Sequence, residues 1–135
     1  MRSASLLFVA AAAACGGGPQ LSNLRCRTPD KCQHPEDPFR LLLAVDFTDA
    51  SGTLSKGALD LRIGGRTQQT VALHDLFAAQ QISPDAKKGT LQVDEEVALD
   101  RIFQGEQVQV GLLATNGQGH DSNEPSLTFT LHLGQ

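Results

Sequence analysis

From residue 39 onward the chain alternates apolar and polar side chains, and a period of two admits only strands with one buried face. Phe39, Leu41, Leu43, Val45 and Phe47 set the first row, and the turn formers of DFTDASG close it. Leu59, Leu61 and Ile63 alternate with Asp60 and Arg62 before Gly64-Gly65, which reads as a hairpin turn into a partner strand over residues 67–73. The run HDLFAAQQ, residues 74–81, breaks the alternation and predicts a short helix that ends before Pro84. A turn over residues 85–89 leads to a short strand at Leu91 and Val93, with another expected around Val97 and Leu99. Ile102 and Phe103, ahead of Gly105, are expected to plug a corner of the core. Val108, Val110, Leu112 and Ala114 alternate, as do Leu127, Phe129, Leu131 and Leu133, and residues 116–125 between them form a loop dense in turn formers. The pattern predicts an all-β fold: one antiparallel β-sandwich of six or seven strands with one short helix, over residues 39–135.

Composition narrows the function classes. A chain of 135 residues corresponds to about one domain. Eleven Lys and Arg against fifteen Asp and Glu give a formal net charge of −4, and the densest positive cluster is the pair Lys87-Lys88. That argues against a nucleic-acid partner, which calls for a basic patch or stripe. Trp and Tyr are absent and the six Phe are scattered, so stacking platforms for bases or sugars are poorly stocked. No stretch reaches the roughly 18–20 apolar residues that span a bilayer.

The first residues, MRSASLLFVAAAAAC, carry an export address. Arg2 supplies a positive n-region and residues 6–14 a nine-residue apolar core, too short to cross a membrane. Small residues then lead to Cys15 and the flexible Gly16-Gly17-Gly18. The arrangement resembles the lipobox of bacterial lipoproteins, with Ala13 and Ala14 in place and Ala12 where that family usually has Leu. The resemblance implies a signal peptide over residues 1–14, cut just before Cys15, whose thiol and new amino group are then acylated. Gly16, rather than the Asp that the family associates with inner-membrane retention, implies the outer membrane of a Gram-negative envelope. The alternative is ordinary secretion, with cleavage at an Ala-x-Ala site and Cys15 incidental.

Three cysteines are an awkward number for an exported chain, and acylation of Cys15 leaves Cys26 and Cys32. Pro29 and Asp30 between them favour a turn, so in an oxidising compartment the pair is expected to form a small disulfide loop. The rival reading adds His34 as a third zinc ligand, but C-x5-C-x-H is no standard zinc spacing and a fourth ligand is missing. Residues 15–38 are rich in Gly, Pro and polar side chains without an apolar period, so they are expected to be a flexible tether lifting the domain away from its anchor.

The last third of the chain, EQVQVGLLATNGQGHDSNEPSLTFTLHL, resembles the final hairpin of immunoglobulin-like and fibronectin-III-like modules, and FRLLLAVDFTDASGTLSKGALDLRIGG looks like their first two strands. The resemblance covers residues 39–135. It implies an Ig-like sandwich of the kind used as spacer, adhesion unit or docking surface, without the core Trp, tyrosine corner or inter-sheet disulfide of antibody domains.

No catalytic set emerges. His74-Asp75 and His120-Asp121-Ser122 are neighbours along the chain, whereas a triad converges in space, and there is no G-x-S-x-G elbow. Nor is there a phosphate loop, since Lys88-Gly89-Thr90 lacks the upstream glycine. Calcium is the stronger candidate among ligands: Asp46 and Asp49 at a strand end, Asp121 and Glu124 in the long loop, and the acidic run Asp94, Glu95, Glu96 and Asp100 could converge as oxygen donors. Leu42, Ala44, Gly111 and Leu113 lie opposite the main apolar rows and would form an outer docking patch if their strands were adjacent, unless the helix covers it. The expected function is therefore a lipid-anchored, non-catalytic envelope protein. It is held to the membrane through Cys15, needs no cofactor, and serves as an accessory, structural or interaction module with an envelope protein partner. The alternative is a calcium-assisted adhesion or ligand-binding module at the cell surface.

Overall fold

The computed structural model describes residues 18–27, 32–98 and 105–132. Cys15 and the signal segment, together with Leu99, Asp100, Ile102, Phe103 and Leu133, lie outside the described residues. Among the described residues, eight strands and one helix follow in the order β1 (Gln20–Cys26), β2 (Gln33–His34), β3 (Asp37–Thr48), β4 (Ala58–Ile63), β5 (Arg66–Ala72), α1 (Leu73–Ala79), β6 (Lys88–Glu96), β7 (Gln107–Thr115) and β8 (Ser126–Thr130). A single 3-10 turn, Leu54–Lys56, sits between β3 and β4.

Two antiparallel sheets pack face to face. In one, β3 is central, with β6 along one edge and β1 and β2 pairing with it in turn. The other runs β5-β4-β7-β8. The apolar rows meet between the sheets: Leu41, Leu43, Val45 and Phe47 of β3 with Leu91 and Val93 of β6, against Leu59 and Leu61 of β4 and Val108, Val110, Leu112 and Ala114 of β7. Each such Leu or Phe, fully withdrawn from water, stabilises the fold by about 1.5–3 kcal/mol. Gly64 (φ 59°) and Gly65 (φ 85°) both take positive φ between paired Ile63 and Arg66, as a two-residue type I′ hairpin requires.

The helix starts at Leu73, one residue before its expected first position, and ends at Ala79. Its Leu73 and Phe77 are buried, and the Phe77 ring lies 5.4 Å from that of Phe47. It therefore closes one open end of the core, where the chain crosses from β5 of one sheet to β6 of the other. Strand β6 begins at Lys88, inside the expected turn, and runs unbroken to Glu96. Val97 follows it as a buried residue whose N–H bonds the Phe39 carbonyl, so the strand expected around Val97 is the tail of β6. Phe39, read as the start of the buried row, is instead 38% exposed.

The expected tether is largely part of the sandwich. Residues 20–26 pair with β3 from Gln20↔Thr48 to Cys26↔Leu43, and β2 continues the same edge at Gln33↔Leu41. Between them, Arg27 N–H donates to the Leu42 carbonyl, and Leu42 N–H donates to the Cys32 carbonyl. β1 and β2 thus lie along the same edge of β3, and the sandwich includes Gln20–Cys26, ahead of its expected start at Phe39. A β-bulge between Ser22 and Arg25, with Asn23 at φ 56°, shifts the phase of this strand.

The outer patch that adjacency of the strands carrying Leu42, Ala44, Gly111 and Leu113 would have made does not form. Leu42 and Ala44 belong to β3, Gly111 and Leu113 to β7, and these strands lie in different sheets. Leu42 and Ala44 are nonetheless buried. Long side chains lie across them on the outer face: Arg25, paired with Ala44, reaches Asp46 (3.3 Å), and Arg40 reaches Asp94 (2.8 Å), which is paired with Leu42. On the other sheet the Glu124 carboxylate lies over Gly111, where an added Cβ would come within 3.0 Å of it, and Arg62 holds that carboxylate at 3.3 Å.

Candidate functional site

The sandwich has two unlike ends. One is built from residues 49–57, 80–87 and 116–125 and is called the loop end below. The other carries the Gly64-Gly65 hairpin and the Pro35-Glu36 turn. Gly18, the first described residue, belongs to the loop end: a Cβ there would lie 2.7 Å from the Asp121 carbonyl oxygen and 2.8 Å from His120 Cβ. A residue with a side chain could not sit so close, so glycine lets the chain enter tight against this end.

The carboxylates proposed to share a calcium ion are separated by their hydrogen bonds. Asp46 lies on the outer face of its sheet, taking hydrogen bonds from Thr90, Asn23 and Arg25. Those donors, Thr90 foremost and then Asn23, hold its carboxyl below the usual carboxylate range. Asp49 is buried at 2% exposure and accepts from the Ser51 N–H and hydroxyl (3.2 and 2.9 Å), with the Asn116 amide 3.4 Å from both its oxygens. Asn116 in turn accepts from the Gln118 and His120 N–H groups through its side-chain oxygen. Asp49 and Asn116 therefore lock the β3–β4 loop to the β7–β8 loop. Asp121 accepts from the Thr115 hydroxyl at 2.7 Å. Among the described residues no three His, Cys, Asp or Glu side chains converge as a metal site.

The histidines are placed as follows. Exposed His74 lies beside exposed Asp75 at 3.5 Å. Among the described residues no hydrogen bond joins the His120 ring to Asp121 or Ser122. Ser122 donates to the Asn123 carbonyl and accepts from the Ala114 N–H. His34 Nδ1 accepts from the Glu36 N–H (3.0 Å), fixing the turn into β3. Cys26 and Cys32 form the expected disulfide, with Cα atoms 4.5 Å apart. The bridge joins the last residue of β1 to the residue before β2. The zinc reading lapses, because both thiols are bonded to each other.

Three side-chain amides do what sequence reading missed. The Asn123 amide takes the Leu21 N–H and donates to the Leu21 carbonyl, both at 2.8 Å, joining β1 to the chain entering β8. Gln33 pairs with the His132 N–H and carbonyl, both at 2.9 Å, at the opposite end of the same seam. Gln80, just past α1, pairs with the Gln92 N–H (2.9 Å) and carbonyl (2.8 Å) on the edge of β6. Each amide presents one donor and one acceptor to a strand edge, as a neighbouring strand would. The first two join residues 102 and 99 positions apart, so no local pattern could reveal them.

No protein-family model matches the chain, and no curated protein matches it. Among solved structures, it superposes on the fibronectin(III)-like modules of Clostridium thermocellum CbhA with a TM-score of 0.51 at 11% identity, covering 87% of this chain and 52% of that one. The spore cortex lytic enzyme SleM of Clostridium perfringens gives 0.35 at 9% identity over 64% of this chain and 24% of that one, too distant a likeness to use. The chain spans about half the length of the CbhA structure it matches. With two antiparallel sheets and one helix, the fold is the expected Ig-like sandwich, in its fibronectin(III)-like form.

Proposed function

We propose that this chain is a lipid-anchored, non-catalytic envelope protein whose sandwich serves as an accessory, structural or interaction module of a cell-envelope assembly. The observation that carries the reading is the sequence MRSASLLFVAAAAAC, which lies a few residues ahead of β1 of the fibronectin(III)-like sandwich. Acylation of Cys15 would hold it at the outer membrane, with several acyl chains contributing ~0.8 kcal/mol per buried CH₂. A disulfide between Cys26 and Cys32 suits the oxidising compartment beyond the inner membrane. Side chains that could have served chemistry, Asp49, Asp121 and Ser122 among them, are engaged in holding loops together.

The test is fractionation of cells expressing the wild type and Cys15→Ala, with intact-mass measurement of both. The wild type should carry acyl mass and sediment with membranes, and the variant should do neither. Membrane partition of Cys15→Ala, with no lipid on the wild type, would end the reading. Crosslinking in cells followed by mass spectrometry addresses the module half: a reproducible envelope partner near one-to-one supports it. Recovery of the protein alone, where a known envelope complex is captured, opposes it.

A further inference from the structure

An anchor at Cys15 could lie only as far from the sandwich as its connection to Gly18 allows. This inference rests on the acylation of Cys15 proposed above. Three peptide bonds separate Cys15 from Gly18, so the two Cα atoms can be at most ~11 Å apart. Gly18 is packed against His120 and Asp121 of the loop end. A little further on, the Asn123 amide clamps Leu21, so the entering chain is fixed there and cannot peel away to lengthen the tether. The long axis of the sandwich is that of β3, whose twelve residues extend ~40 Å. An anchor this short, attached at one end of a body this long, brings that end to the membrane surface.

We propose that, in the acylated protein, the loops around Ser51, Pro84 and Gln118 lie against the phospholipid headgroups, and the Gly64-Gly65 and Pro35-Glu36 turns point away from the bilayer. The loop end carries both signs of charge, with Lys56, Lys87 and Lys88 on the one hand and Asp85 and Asp121 on the other. The orientation is therefore set by the anchor's position rather than by attraction of a basic face to anionic lipid. Partners would meet the far turns and the flanks of the sheets.

The test uses the acylated protein purified from membranes and reconstituted in vesicles of phosphatidylethanolamine and phosphatidylglycerol containing a nitroxide-headgroup lipid. A bimane fluorophore is placed at Gln118→Cys on the loop end or at Glu36→Cys on the far end, both exposed positions. Lys56→Cys and Arg66→Cys form a second pair, so that one poorly folded variant does not decide the outcome. Mass spectrometry of the same samples reports the acyl chains. Quenching several-fold stronger at positions 118 and 56 than at 36 and 66 is the expected result. Acylated protein quenched equally at both ends, as for a domain lying on its side, overturns the orientation and leaves the anchor standing. Samples without acyl mass overturn both.

Discussion

Replacing Gln33 by alanine should open the seam between the two sheets at its far end. Gln33 is 8% exposed and makes three hydrogen bonds: its amide donates to the Pro38 carbonyl (2.8 Å) and the His132 carbonyl (2.9 Å), and its oxygen accepts from the His132 N–H (2.9 Å). At ~1 kcal/mol net for each bond, the loss is about 3 kcal/mol, less whatever water recovers at the part-buried His132. For a domain of this size that lowers Tm by roughly 8–15 °C. Urea denaturation followed by circular dichroism measures it, with Gln109→Ala as control. Gln109 is exposed and makes a single 3.3 Å bond to Ser126, so its loss should cost under ~0.5 kcal/mol. Gln33→Glu sharpens the test. The carboxylate would face the carbonyl oxygens of Pro38 and His132, which favours its protonated form and raises its pKa in the folded state. Its stabilising contribution is then fully present below the unfolded value of ~4.3 and is lost as pH rises through the folded value. Gln33→Glu should thus approach wild-type stability in acid and lose it toward neutrality. A Gln33→Ala variant within ~0.5 kcal/mol of wild type at unchanged m-value would refute the clamp as a source of stability.

The disulfide closes a short loop, so removing both cysteines (Cys26→Ala with Cys32→Ala) should cost ~2 kcal/mol of chain entropy, seen as a lower urea midpoint with the far-UV spectrum retained. Gly57→Ala should cost at least ~3 kcal/mol or prevent folding, because the new Cβ would overlap the Thr115 carbonyl oxygen and neither backbone can yield; soluble yield and thermal melting report it. Asp46, held low by Thr90, Asn23 and Arg25, stabilises the fold above its unfolded value of ~3.9 and ceases to as pH falls through the lower folded value. The penalty of Asp46→Asn should therefore shrink as denaturation curves are taken further into acid. Glu95 carries the opposite sign: burial pushes its carboxyl up, so its contribution is present below ~4.3 and lost as pH rises through the folded value. Glu95→Gln should consequently raise the melting temperature at pH 7 and make no gain at pH 3.

The period-two rows read directly from the sequence became β3, β4, β7 and β8, because each has one face on the core and the pleat makes every second side chain incur the same hydration cost if misplaced. The Gly64-Gly65 hairpin and the short helix were legible for equally local reasons. β1 was not. In QLSNLRC, Leu21 faces the core, and then the bulge at Asn23 inserts one residue, so that Leu24 and Cys26 rather than residues 23 and 25 pack against it. The apolar spacing becomes 21, 24, 26, which no period of two detects. The outer apolar pairs could not be decided for a different reason: strand alternation fixes a residue's face but not which sheet its strand joins. Of the site, the Cys26–Cys32 bridge could be read from spacing and compartment. The separation of Asp46, Asp49 and Asp121 could not, because each is held by partners brought in by folding, such as Thr90 and Asn116.

The chain enters at one end of the sandwich and leaves β8 at the other, and this sets how the domain carries mechanical load. A pull between the Gly18 end and the far turns acts along β1, parallel to its ladder with β3. The hydrogen bonds from Gln20 to Cys26 are then strained together in shear, not opened one by one as in peeling. The covalent bridge from Cys26 to Cys32 lies at the lower end of that ladder. If β1 slid, the five residues between the cysteines could not unreel as slack, and tension would pass straight to Cys32 and β2. A domain built this way would pass force from the Gly18 end to the far turns while yielding little length, and its lifetime under load would be set by the rate of unfolding rather than by its equilibrium stability.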